Sequence, residues 1–257
     1  MHTPRIIALT VVLGMAVSAC SSSDSASDSF EGTSATTPST TAAPGATGTA
    51  TPTTVPLESV PGNYVGYLHQ PTACDADQPD PAVAMQFDGP GNANVSGEVM
   101  VTLNTSCGQI ELVLDAATAP ETVNSFVYLA EQGYFDGTVS HRILPGFMMQ
   151  AGDPTATGRG GPGYTIPDEL PATADYRRGV VAMANAGAGS AGSQFFILFG
   201  DAPWLPPSYT IFGEVSQGFE VLDAIEQIPL GQGPASADSQ PSTPLNSLYI
   251  ESITINR

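Results

Sequence analysis

The chain has 257 residues, with 25 acidic and 6 basic side chains and a formal net charge of −19. All the cations are arginines (Arg5, Arg142, Arg159, Arg177, Arg178 and Arg257), and lysine is absent. Such a surface repels nucleic acid, whose phosphates need cations to neutralise them, and attracts anionic lipid heads little; the charge favours solubility and says nothing of the fold.

Residues 1–5 carry the one early positive charge, and residues 6–17 form a short apolar run ending in Val17-Ser18-Ala19-Cys20. The run is too short for an ordinary spanning helix and has the pattern of an export signal over residues 1–19. Val-Ser-Ala-Cys resembles the bacterial lipobox, which implies lipidation of Cys20 and attachment to the outer face of the cell membrane through lipid chains alone. Plain secretion with an incidental cysteine is the alternative. Residues 20–59 are rich in Ser, Thr, Ala and Pro without apolar periodicity, and are expected to form a disordered tether.

Residues 60–98 are expected to form an irregular extension packed on the main domain. After Cys20 the remaining cysteines are Cys74 and Cys107. An exported chain meets an oxidising environment, so a disulfide between them is one reading and two unpaired buried thiols the other. Neither has the spacing of a zinc site, and no metal is expected.

From residue 99 onward, short strand signals alternate with turns. Residues 99–103 alternate weakly; residues 108–114 alternate well, with Ile110, Leu112 and Leu114 on one face. Residues 105–108 fit a hairpin turn. Pro120 suits the first turn of a helix whose apolar face is Val123, Phe126, Val127 and Ala130, and Gly133 ends it. Further strands are predicted at 138–144, 147–152, 179–184, 194–199, 210–215 and 247–254. A second helix is predicted at 219–227, stopped by Pro229. Many short strands with few helices point to a mainly β barrel or sandwich.

Three stretches carry the chemistry. The first runs from His141-Arg142 through Phe147-Met148-Met149-Gln150 to Asp153. The second is Met183-Ala184-Asn185 followed by Gln194-Phe195-Phe196. The third is Trp204-Leu205 followed by Tyr209-Thr210-Ile211-Phe212-Gly213. In order and spacing they resemble the cyclophilin family over residues 99–257. The resemblance implies a closed eight-stranded antiparallel barrel capped by two α-helices, with an outer groove for Xaa-Pro peptides. By the same resemblance Arg142 is the catalytic arginine; the chemistry of the reaction adds that Gln150 orients its guanidinium. Phe147, Met148, Phe196 and Leu205 form a proline pocket, while Gln150, Ala184, Asn185 and Gln194 hold the peptide backbone. Tyr209 stands where many members have histidine. Trp204 is a rim residue that implies cyclosporin as a further ligand. Ser140 replaces a common phenylalanine, and the loop at 158–163 is one residue shorter than in familiar members.

The residue types suit the reaction that the resemblance implies. Rotation about a peptide bond faces a barrier of about 18–20 kcal/mol because resonance gives the bond double-bond character. In the twisted state the proline nitrogen gains a lone pair, and a donor aimed at it stabilises that state over either planar one. Arginine offers permanent charge and rigid donors. No bond breaks, so neither a cofactor nor a metal is expected, and His141 is read as structural. The glycine pattern at 158–163 does not open a predicted helix, which argues against a dinucleotide site. The implied partners are proline-containing peptides and unfolded exported proteins, with the chain a monomer. A peptide-binding module with little catalysis and an envelope binding protein are the competing classes.

Overall fold

The computed structural model describes residues 61–171, 173–233 and 238–256. The expected signal segment, Cys20 and the tether lie outside the described residues.

The chain folds as a mainly β domain. In order the elements are α1 (Tyr64–Tyr67), β1 (Glu98–Thr105), β2 (Gly108–Asp115), α2 (Pro120–Glu131), β3 (Thr138–Val139), β4 (Arg142–Leu144), β5 (Met148–Ala151), β6 (Val180–Met183), β7 (Phe195–Leu198), β8 (Ile211–Gln217), α3 (Phe219–Ile225), β9 (Leu230–Gly231), β10 (Thr243–Pro244) and β11 (Tyr249–Asn256). One sheet of nine strands has the order β3-β11-β1-β2-β8-β6-β7-β5-β4, and β9 pairs with β10 apart from it. Among the described residues no helix is long and apolar enough to cross a membrane.

The hairpin β1–β2 follows from its period of two. Val99, Val101 and Leu103 face Leu114, Leu112 and Ile110 across the ladder, and all six are buried. The Thr105 hydroxyl donates to the Gly108 carbonyl and accepts from the Cys107 amide, which closes the turn. Helix α2 buries the predicted face, Val123, Phe126, Val127 and Ala130, together with Leu129. Its first turn has no side-chain cap of its own. Instead the Glu169 carboxylate, from a distant loop, accepts from the amides of Glu121 and Thr122 at 3.0 and 2.8 Å. A carboxylate at a helix N-terminus satisfies orphan donors and complements the dipole. Inside the curled sheet, the Phe126 ring lies 5.1, 5.4 and 5.3 Å from those of Phe135, Phe195 and Phe212.

Two expectations are corrected. The strand predicted at 138–144 is two strands, β3 and β4, which form the two edges of the sheet. The break has a local cause: the Ser140 hydroxyl donates to the Gln150 carbonyl at 2.9 Å, and the His141 carbonyl accepts from the Tyr67 hydroxyl at 3.1 Å. Side chains therefore take backbone partners that an unbroken ladder would use. No ladder joins β3 to β4, so the sheet is an open, curled one of nine strands and not a closed barrel of eight. The two α-helices expected in the main domain are α2 and α3, and a further short one, α1, forms within the extension.

The extension braces that break. Tyr67 is buried with Val139, Ala156 and Tyr249, and the Tyr64 hydroxyl donates to the Gly137 carbonyl at 2.8 Å. Farther along, the Phe87 ring packs edge-on against Tyr128 of α2. Cys74 and Cys107 are joined in a disulfide, with Cα atoms 5.1 Å apart and 33 positions apart in sequence. Closing a loop of that size restricts the unfolded chain by about 3–4 kcal/mol. Reduction, or the double change Cys74→Ser and Cys107→Ser, is expected to lower the unfolding free energy by that amount. Urea titrations with and without reductant measure it, and coincident curves would refute it.

Candidate functional site

The site lies on the outer face of β4, β5 and β7. Arg142 pairs with Gln150 across β4–β5, and Gln150 pairs with Phe196 across β5–β7. Residues directly opposite on a ladder project to the same face, so these three form one row. The reverse turn at Pro145-Gly146 brings Phe147 and Met148 to the same side. The strands beneath are apolar on both faces: Val181, Met183, Phe195 and Ile197 belong to the inner core, while Val180, Ala182, Phe196 and Leu198 pack outward with Met148 and Tyr176.

A cavity of about 170 Å³ is lined by Arg142, Phe147, Met148, Gln150, Ala184, Asn185, Phe196, Leu205 and Tyr209. Phe196 and Tyr209 meet edge to face, centroids 5.6 Å apart. Gln194 lies beside this cavity and lines a second one of about 360 Å³ with Gln150, Ala184 and Asn185. Trp204 stands at the rim, 64% exposed, its ring 4.6 Å from Phe147. The structure thus gathers every residue named from sequence for the groove. Asn185 uses its side-chain amide to hold the Ser208 carbonyl at 2.8 Å, which ties its loop to the one bearing Tyr209.

A chain of side-chain amides runs along the groove floor. Arg142 Nη1 donates to Gln150 Oε1 at 3.1 Å. Gln150 Nε2 donates to Gln194 Oε1 at 2.9 Å, and Gln194 Nε2 donates to the Gly160 carbonyl at 2.9 Å. Gly160 is held in turn by Asp153. That carboxylate has no solvent exposure and accepts from the amides of Thr155, Thr157, Arg159 and Gly160 at 2.8–3.1 Å and from the Thr155 hydroxyl at 2.7 Å. A Cβ at Gly160 would overlap this carboxylate, and one at Gly152 would overlap the Ser193 carbonyl next to Gln194; both positions need glycine.

Burial alone would raise the Asp153 pKa, but the hydrogen bonds from Thr155 and Gly160 and the nearby His141 together hold it below the ordinary value. His141 is driven down to about 4, mainly by burial, opposed by Asp153 and reinforced by Arg142. It is neutral at pH 7, and its Nδ1 is enclosed without a hydrogen-bond partner.

Sequence reasoning missed several supporting residues. Tyr176 donates its hydroxyl to the Tyr209 carbonyl and accepts from the Tyr209 amide. Asp238, from the loop between β9 and β10, binds Arg142 on a second edge: Nε donates to Oδ2 at 2.8 Å and Nη2 to Oδ1 at 2.6 Å. Its neighbourhood in sequence is Gly, Pro, Ser and Ala, with no motif to mark it.

Apolar side chains beside a fixed guanidinium line a groove on the outside of a curled antiparallel sheet. The family profile "Cyclophilin type peptidyl-prolyl cis-trans isomerase/CLD" matches residues 100–254, and the chain belongs to that family of isomerases. It is 41% identical over 160 residues to a Rattus norvegicus peptidyl-prolyl cis-trans isomerase-like 3, covering 61% of this chain and 95% of that protein. A Dictyostelium discoideum protein of the same name is 38% identical over 160 residues, covering 61% of this chain and 94% of that protein. Among solved structures, a Cryptosporidium parvum cyclophilin type peptidyl-prolyl cis-trans isomerase superposes with a TM-score of 0.57 at 32% identity, covering 62% of this chain and 98% of that one. The same enzyme crystallised in the presence of the dipeptide Ala-Pro gives a TM-score of 0.56 at 33% identity, covering 62% and 99%.

Proposed function

We propose that the groove rotates Xaa-Pro bonds with Arg142 as the donor to the proline nitrogen. The observation that carries this reading is the guanidinium at the mouth of the apolar cavity, its Nη1 anchored to Gln150. Phe147, Met148, Phe196 and Leu205 hold the proline ring, with Tyr209 as an aromatic wall. Gln150, Ala184, Asn185 and Gln194 grip the neighbouring peptide, so that one side of the bond turns against the other. The anchored arginine needs little reorganisation as the lone pair develops, which is where electrostatic catalysis gains most. Trp204 at the rim makes cyclosporin a candidate inhibitor.

The biological setting extends this reading. The export-signal pattern of residues 1–19 and the cysteine at position 20 support a lipid anchor on the outer face of a bacterial membrane, where the chain would assist folding of exported proteins. Two measurements test the proposal. Exchange spectroscopy on an Xaa-Pro peptide with catalytic amounts of the protein is expected to bring cis-trans exchange from tens of seconds to below a second, reversibly by cyclosporin. Mass spectrometry of the membrane fraction is expected to find diacylated Cys20 as the first residue; any other mature N-terminus defeats the anchor. The ion pair between Arg142 and Asp238 favours a second reading, a peptide-binding module with little catalysis, and absence of acceleration by a folded, peptide-binding protein would establish it.

A further inference from the structure

The Arg142 guanidinium has five N–H donors, and three are engaged among the described residues. Gln150 takes one on Nη1, and Asp238 takes Nε and one on Nη2. One N–H on each terminal nitrogen remains beyond these bonds. The Asp238 side chain is 16% exposed and that of Arg142 34%, so the pair is partly withdrawn from water. A side-on, two-bond carboxylate contact fixes the guanidinium plane as a single bond cannot. The carboxylate comes from the loop between β9 and β10, and that loop is tied to the catalytic strand a second time: the Ile143 amide donates to the Ser242 carbonyl at 2.8 Å. Asp238 is thus carried by a segment anchored next to the residue it holds. Opposing this, the carboxylate offsets part of the cation's field at the groove. Charge in the twisted state is partial and lies on one nitrogen, so direction of the donor outweighs net charge.

We propose that Asp238 is a positioning residue of the isomerase, one that with Gln150 sets the plane of Arg142 and points its remaining N–H groups into the groove. This rests on the assignment of Arg142 as the donor. The test uses the full chain and its Asp238→Ala, Asp238→Asn, Arg142→Lys and Arg142→Ala variants. Peptide exchange gives kcat and KM, and nitrogen-15 NMR follows the Arg142 Nε–H resonance, identified by its loss in Arg142→Lys. Asp238→Ala is expected to lower kcat about tenfold with KM within twofold, and to lose the slowly exchanging Nε–H signal while the backbone amide spectrum outside the loop is unchanged. Asp238→Asn keeps one acceptor and is expected to fall between Asp238→Ala and the parent. An unchanged kcat in Asp238→Ala overturns the proposal, as does a raised one, which would make the carboxylate a restraint on the arginine. If Arg142→Ala retains full activity, the donor assignment itself fails; if it loses activity while Asp238→Ala does not, only the role of Asp238 fails.

Discussion

Arg142→Ala is expected to lower kcat/KM by about 10²–10³, mostly through kcat. Removing one preorganised donor from a transition-state site typically has an effect of that size, about 3–4 kcal/mol of activation free energy. The cavity walls that hold the proline ring belong to other residues: Phe147, Met148, Phe196 and Leu205 remain in place. Substrate affinity should therefore change little. The variant should also fold, because the Arg142 side chain is partly exposed. Exchange rates at saturating and sub-saturating peptide, with a peptide titration followed by NMR, separate the two parameters. A tenfold rise in KM with kcat intact would instead make Arg142 a binding residue.

Asp153→Ala is expected to destabilise the domain by about 3–5 kcal/mol, the range for removing one partner from a buried charged network. Four backbone amides and a hydroxyl lose a bond to this carboxylate at once; the Arg159 amide and the Thr155 hydroxyl keep Thr157 Oγ1, and each buried donor left unsatisfied is unfavourable by about 1–3 kcal/mol before water enters. Activity should fall as well, since the loop that Asp153 shapes presents Gly160 to Gln194 and so supports Gln150 and Arg142. The effect has a pH signature. The folded-state pKa of Asp153 is lowered, so its stabilisation is fully present above the unfolded value of about 3.9 and is lost as pH falls through the folded value. His141 acts in an earlier window. Its folded pKa is about 4 against 6.5, so its stabilisation is complete above pH 6.5 and declines towards pH 4. Urea titrations from pH 7 to pH 3 should show both declines in the parent and only the His141 decline in Asp153→Ala. A variant that loses stability below pH 4 as steeply as the parent would refute the assignment.

What was legible in the sequence was whatever repeats locally or sits within one motif. The alternation of Ile110, Leu112 and Leu114 sets the buried face of β2, since successive side chains on a strand point to opposite faces. Pro120 and Gly133 bound α2 because each suits one helix end. The groove residues were named through the resemblance of the three stretches to the cyclophilin family, since period and spacing alone do not mark them. Strands β6 and β7 were placed but their two faces were not, because residues apolar on both sides carry no alternation to read.

The tertiary structure alone decided how the site is supported. Arg142 meets Asp238 across 96 positions, Tyr67 meets the His141 carbonyl across 74, and Glu169 caps α2 across 48 and 47. The break between β3 and β4, and with it the open sheet, goes with the Tyr67 bond to the His141 carbonyl and the Ser140 hydroxyl's bond to the Gln150 carbonyl. None leaves a trace in local period or composition, because an aspartate in a Gly/Pro/Ser loop has the same sequence signature whether it faces water or an arginine. Motif resemblance was enough to name the groove side chains; the long-range packing that brings distant polar groups onto them set their orientation, charge and rigidity.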